Sequence, residues 1–145
     1  MRIAVLNGPN LNLLGQREPE VYGRTSLAEI EAMVRQAAGQ LGAQIEWFQT
    51  NHEGAMVEAV QGLRGGADGA LINAAALTHS SLALRDALLA VPIPFVELHL
   101  SNIFAREPER RHSVIADLAI GMVTGFGAQS YLLALQGLMG RLRAA

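Results

Sequence analysis

Apolar residues along the chain recur with two different periods. Five short, mostly β-branched runs, Arg2 to Asn7, Gln44 to Thr50, Ala70 to Asn73, Phe95 to Leu100 and Leu118 to Thr124, read as strands. Between them the spacing changes to three and four. Leu27, Ile30, Val34, Ala37 and Leu41 line one face of a helix, with Ser26 and Glu29 placed as a capping box and Gly42 as the stop. Met56, Val57, Val60 and Leu63 mark a second helix ending at Gly65-Gly66. Leu82 to Leu89 gives a third, closed by Val91-Pro92-Ile93-Pro94, and Tyr131, Leu135, Leu138 and Leu142 mark the last. Two polar stretches interrupt the pattern. Gly15 to Thr25 is longer than an ordinary strand-to-helix connection and reads as a lid loop, whereas Ser101 to Ser113 is Arg-rich, holds Pro108 and reads as a loop with at most a short helix.

Strands that alternate with helices pair in parallel through right-handed crossovers, and both faces of such a sheet are covered. Five strands in 145 residues imply a single α/β domain over 1–145: a flavodoxin-like three-layer sandwich with strand order 2-1-3-4-5. In such sheets ligands bind outside the carboxyl ends of the strands, near the point where the order reverses. Chemistry is therefore to be sought in the segments that follow each strand.

Composition narrows that chemistry. Cysteine is absent, which excludes disulfides, thiolate nucleophiles and Cys-based metal sites. All eleven basic residues are arginine, so a Schiff base, a lysine-anchored pyridoxal phosphate and a P-loop lysine are excluded with them. A net charge of -2 argues against a nucleic-acid partner. The four histidines, at 52, 79, 99 and 112, show no HxxxH or HxH spacing, and no metal is expected. Leu118 to Gly140 is uncharged over 23 residues, about the length of a membrane span, but its five glycines and polar Thr124, Gln129, Ser130 and Gln136 favour a strand, a turn and a buried helix. The apolar run Ile3 to Leu6 is too short for a signal-peptide core, and a cytoplasmic location with no membrane partner is expected.

The strand ends carry uncharged hydrogen-bonding groups: Asn7 to Asn12 after the first, Gln49 to Gly54 after the second, Asn73 and Thr78-His79-Ser80 after the third, Glu97 to Asn102 after the fourth. Such a set suits a small, hydroxyl-rich molecule, with arginines nearby for a carboxylate or oxyanion; the same residues also suit helix caps and turns. Glu97 and His99, two apart in a strand, share a face, so the carboxylate can hold one imidazole tautomer and make a general acid of the histidine; a core histidine satisfied by an acid is the alternative. Arg17 and Tyr22 lie five apart in the lid loop. A tyrosine serves as a base only if its phenolate is stabilised, and a nearby guanidinium can do that. Gly125-Phe126-Gly127-Ala128-Gln129-Ser130 looks like half a dinucleotide fingerprint, but it lacks the third glycine and follows the last strand, which favours structural turn glycines. Arg106 to His112 is either a solvated charged loop or an anion grip. A phosphate-binding receiver of this fold would need an acidic pair, a phosphorylatable Asp and a lysine, where this chain has Asn7, Asn73 and none.

Taken together, Leu-Asn-Gly-Pro-Asn-Leu-Asn at 6–12, Leu-Gly-Gln-Arg-Glu-Pro at 14–19, Tyr22-Gly23, Thr78-His79, Ala83 to Ala87, Glu97 to Asn102 and Gly125-Phe126-Gly127 resemble type II 3-dehydroquinate dehydratase from residue 3 to about 135. The resemblance implies the flavodoxin-like fold and conversion of 3-dehydroquinate to 3-dehydroshikimate plus water in the shikimate pathway, by anti elimination through an enolate, without cofactor or lysine imine. It implies Tyr22 as the base at C2, Arg17 as the cation that keeps it ionised, Asn10 as an enolate stabiliser acting through a held water, and His99 as the acid for the C1 hydroxyl. Asn73 and the main chain at Leu100 and Ser101 would hold the substrate carboxylate. His79, Arg110 and Asp86 would serve the ring hydroxyls or the groups that orient them, with Glu97 and Arg106 supporting. The family forms dodecamers of four trimers, and Asp86 is expected to reach a neighbouring subunit's site. The chain departs from the family pattern at Asn73-Ala74-Ala75-Ala76-Leu77, where Asn-Pro-Gly or Asn-Pro-Ala and a later Tyr are common, and at Phe104, Glu109 and Arg111, where His, an aromatic and His are common.

Overall fold

The computed structural model describes residues 1–16 and 18–144, with the backbone alone at Tyr22. Five parallel strands, β1 (Arg2–Asn7), β2 (Gln44–Gln49), β3 (Gly69–Asn73), β4 (Phe95–His99) and β5 (Gly121–Thr124), form one sheet in the order β2-β1-β3-β4-β5. Successive strand side chains point to opposite faces, and both faces are buried. Ile3, Val5, Leu71, Val96 and Leu98 pack on one side beneath α2 (Leu27–Gln40) and α6 (Gln129–Ala144). Ala4, Leu6, Ala70, Ile72 and Phe95 pack on the other beneath α3 (Glu53–Gln61) and α5 (Leu82–Ala90). This is the expected three-layer sandwich.

Local signals account for most of the element ends. Ser26 Oγ accepts from the Glu29 N–H while Glu29 Oε1 accepts from the Ser26 N–H, a complete capping box, and Gly42 follows α2 at φ +76. Several boundaries differ from expectation, most of them by a single residue. The second helix stops at Gln61, because the chain turns from Gly62 onward and Leu63 reaches the core from that turn. The last strand begins at Gly121, since Leu118 closes a 3-10 turn (Ala116–Leu118) and the apolar run Leu118-Ala119-Ile120 only leads from that turn into the strand. The segment read as a lid loop contains a four-residue helix, α1 (Pro19–Tyr22), opened by the fixed φ of Pro19 at its first position. The Arg-rich segment is a loop with two 3-10 turns, Ile103–Ala105 and Pro108–Arg110. The uncharged stretch Leu118 to Gly140 is divided between a turn, β5 and α6, and among the described residues no helix is long and apolar enough to cross a membrane.

Candidate active site

The register aligns the carboxyl ends of the strands into a polar row. Asn7 sits opposite Gln49 on one side and Asn73 on the other, and His99 opposite Thr124. Beyond this row opens a cavity of ≈ 90 Å³, lined by Asn10, Asn73, His79, His99, Leu100, Ser101, Arg106 and Arg110. Asp86 lies elsewhere, exposed on α5. Arg17 and the side chain of Tyr22 lie outside the described residues.

Close backbone packing shapes the floor. The Gly8 N–H donates to the Asn73 carbonyl at 2.8 Å, and a Cβ on Gly8 would stand 2.3 Å from the Ala74 oxygen, so only glycine fits. The chain then turns through Asn10 at φ 68, a left-handed conformation that asparagine tolerates. Its N–H donates to Asn51 Oδ1 at 2.9 Å, while Gln49 Nε2 donates to the Gly8 carbonyl at 3.1 Å. Strand two thus braces the loop that presents Asn10. On the other side Ala75 is left-handed at φ 54, in the segment where the chain departs from the family pattern.

Beneath the floor lies a polar contact within the core. Tyr131 Oη, fully buried on α6, donates to Asn7 Oδ1 at 2.6 Å and accepts from Asn73 Nδ2 at 3.0 Å. Burial drives its phenol well above the ordinary tyrosine range, against a smaller opposing effect of the Asn73 hydrogen bond, so it stays protonated and keeps this donor role. One Asn73 amide hydrogen is committed to Tyr131, which leaves the other for the cavity. Tyr131 reads in the sequence only as an apolar helix position.

Glu97 and His99 leave β4 on the same face and meet. His99 Nε2 lies 2.6 Å from Glu97 Oε2, with Glu97 fully buried and His99 4% exposed. With Nε2–H donating to the carboxylate, Nδ1 is the nitrogen left for the cavity. Ser113 Oγ donates to the other oxygen, Glu97 Oε1, at 2.8 Å.

His79 lies alongside, its ring stacked 6.5 Å from that of His99. The His79 Nδ1–H donates to the His112 carbonyl at 2.7 Å, and His112 Nε2–H donates back to the His79 carbonyl at 3.0 Å. This double clasp ties α4 (Leu77–Ser80) to the Arg-rich segment. Partial burial lowers the His79 imidazole below its ordinary range, opposed by the bond to His112 and helped by the charges of His99, Arg110 and His112. His79 is therefore neutral at pH 7, and its Nε2 is an acceptor, suited to a hydroxyl donor.

The groups suited to an anion come from the loop after β4. Arg110 Nε–H donates to Glu107 Oε1 at 2.8 Å, and the Arg111 guanidinium donates to the Arg106 carbonyl, which folds the loop back on itself. The carbonyls of Leu100 and Ser101 accept from the Gly127 N–H and from Thr124 Oγ1, both at or just beyond β5. Among the described residues no acceptor takes the N–H of Leu100 or Ser101, so both donors remain for a carboxylate. No group of His, Asp and Glu suited to holding a metal occurs among the described residues.

The fold and this arrangement define a small polar cavity at the carboxyl ends of the strands, where an acid–imidazole pair faces two guanidinium groups. The sequence model of the family Dehydroquinase class II matches residues 1–139. The 3-dehydroquinate dehydratase of Parasynechococcus marenigrum is 61% identical over 143 residues, covering 99% of this chain and 98% of that protein. Among solved structures, the type II dehydroquinases of Butyrivibrio crossotus and Propionibacterium acnes superpose with TM-scores of 0.93 and 0.91, each 39% identical, covering 95% and 96% of this chain and 97% and 96% of theirs. The chain belongs to the class II dehydroquinase family.

Proposed function

We propose that the chain is a 3-dehydroquinate dehydratase of the shikimate pathway that works by anti elimination through an enolate. The proton at C2 is acidified by the adjacent ketone, so a base and an oxyanion stabiliser suffice to remove it. Tyr22, as a phenolate kept ionised by the Arg17 cation, takes that proton, and the electron pair moves onto the ketone oxygen. Asn10, on its braced turn, stabilises the enolate through a held water. Collapse of the enolate restores the ketone, forms the C1–C2 double bond and breaks the C1–O bond. His99, carrying a proton on each ring nitrogen and held at Nε2 by Glu97, gives its Nδ1 proton to the departing hydroxyl, which leaves as water. Asn73 and the main-chain N–H groups of Leu100 and Ser101 hold the substrate carboxylate, while neutral His79 and Arg110 take the ring hydroxyls and Arg106 supports the loop. No imine, cofactor or metal enters the scheme. The protein works in the cytoplasm as a dodecamer of four trimers, with Asp86 of one subunit serving the site of the next.

The observation that carries this reading is the buried Glu97 carboxylate bonded at 2.6 Å to His99 at the edge of the cavity, an acid held in one orientation beside two arginines. The test is direct: 3-dehydroquinate is added to purified, chelator-treated protein and the conjugated enone of the product is followed in the ultraviolet. A rise in absorbance proportional to enzyme is expected. No rise at micromolar enzyme overturns the assignment.

A further inference from the structure

Glu97 is buried in the sheet, and among the described residues its two oxygens have one donor each: His99 Nε2–H on Oε2, and Ser113 Oγ–H on Oε1. The second donor comes from outside the strand. Ser113 closes the Arg-rich segment, directly after His112, which is clasped to His79. Its hydroxyl also accepts from the Ile115 N–H at 3.2 Å. A hydroxyl carries a single hydrogen, and a backbone N–H on one lone pair turns that hydrogen away, here toward Glu97. The Ile115 side chain is fully buried in the core beneath α3 and α5, so the turn that aims Ser113 is anchored.

We infer that Ser113 is a positioning residue of the reaction, fixing the Glu97 carboxylate so that His99 presents its other nitrogen to the leaving hydroxyl. The inference rests on the dehydratase reading above and extends it to a residue that touches neither cavity nor substrate. A carboxylate in an apolar layer depends on each of its hydrogen bonds. If the Ser113 bond is lost, Oε1 has no donor, the carboxylate rotates or draws the His99 proton to itself, and the acid loses both its orientation and its stabilised partner. The same segment carries Arg110, so substrate grip and acid alignment come from one loop. Among the described residues, the charged and titratable groups facing His99 are Glu97 from its own strand, His79 from α4, and Arg106 and Arg110 from the loop, with His112 behind His79. None of these replaces the Ser113 donor on Oε1.

The test compares Ser113→Ala, Ser113→Thr and Ser113→Cys with the wild type in the whole protein. Ser113→Ala is expected to lower kcat by about tenfold to a hundredfold, the range for one hydrogen bond to a charged group, with KM changed little. Exchange of the C2 hydrogen with solvent, which precedes the acid step, should outlast dehydration in this variant. Ser113→Thr keeps the hydroxyl and should restore most of kcat, and Ser113→Cys, nearly isosteric with a weak donor, should fall between, which covers an alanine variant that folds poorly. A readout without substrate is the His99 Nε2–H proton, placed far downfield in proton NMR by its 2.6 Å bond: it should move and exchange faster in Ser113→Ala and stay in Ser113→Thr. If kcat and this resonance remain as in the wild type while only thermal stability drops, Ser113 merely caps the Ile115 turn and the inference is overturned. If wild-type protein shows no dehydration, the dehydratase reading fails, and the resonance still decides whether Ser113 sets the Glu97–His99 pair.

Discussion

Single side chains divide the proposed chemistry between a lid and a rigid sheet edge. Tyr22→Phe removes a single hydroxyl and keeps the ring, so turnover should be abolished with circular dichroism unchanged; substantial residual activity would remove Tyr22 from the base role. His99→Ala should block only the second half of the reaction, and solvent exchange at C2, followed by NMR, should persist after dehydration has ceased. Loss of both together would contradict a pure acid role. His79 gives a pH signature whose sign follows from its depressed imidazole. The unfolded chain binds the proton at about 6.5, before the folded one does, so stability declines as pH falls through 6.5 toward the lower folded value and is unaffected by this group above it. Protonation also replaces the Nε2 acceptor by a donor. The urea midpoint should therefore fall and KM rise between about pH 7.5 and about pH 5.5, and His79→Gln should flatten both slopes. At this scale the sequence showed which residue types converge, but not their bonds. The partner of Tyr131 lies 124 residues away at Asn7, and helix periodicity registers that phenol only as an apolar position.

At the level of elements, the turns after β1 and β3 determine whether the cavity has a floor. Gly8 and Ala75 meet this requirement in opposite ways. Gly8→Ala forces a Cβ into the Ala74 carbonyl and should cost about 1–3 kcal/mol, with lost activity, because Asn10 is displaced along with the turn. Ala75 holds φ 54 at a cost of about 1–2 kcal/mol, while glycine there would lose about 0.5–1 kcal/mol of backbone entropy on folding. Ala75→Gly should thus stabilise by roughly 0.5–1 kcal/mol, read as a higher denaturation midpoint. An unchanged or lower midpoint would show that the Asn73 Oδ1 bond to the Ala75 N–H already relieves the turn. The sheet itself was readable because alternation of buried runs and helical spacing leaves few topologies, and the capping box and Gly42 marked α2 chemically. The boundaries that escaped, Gln61 and Gly121, are places where apolar side chains enter the core from turns, so that composition without backbone geometry points to the wrong element.

Over the whole molecule, the proposed site lacks one member within its own chain. Asp86 stands on the exposed face of α5, flanked by Leu82 at 65% and Leu89 at 56% exposure. Spacings of four and three place all three on one stripe, and two solvent-facing leucines around a carboxylate fit a surface that is covered on assembly. The adjacent arginine does not claim the carboxylate: Arg85 pairs with Asp117, at 2.6 and 3.1 Å, which lowers the Asp117 carboxyl through that hydrogen bond and leaves Asp86 without an ion-pair partner among the described residues. In the proposed trimer Asp86 reaches the neighbouring cavity and holds an arginine such as Arg110 by charge-assisted hydrogen bonds. Subunit mixing separates this from a local role. Tyr22→Phe and Asp86→Ala homo-oligomers should each be weak. Refolded together in equal amounts, they should place an intact Tyr22 site against an intact Asp86 neighbour in about a quarter of interfaces and recover about a quarter of wild-type activity. If sedimentation shows that mixed trimers have formed and activity stays at the average of the two parents, Asp86 acts within its own subunit or not at all.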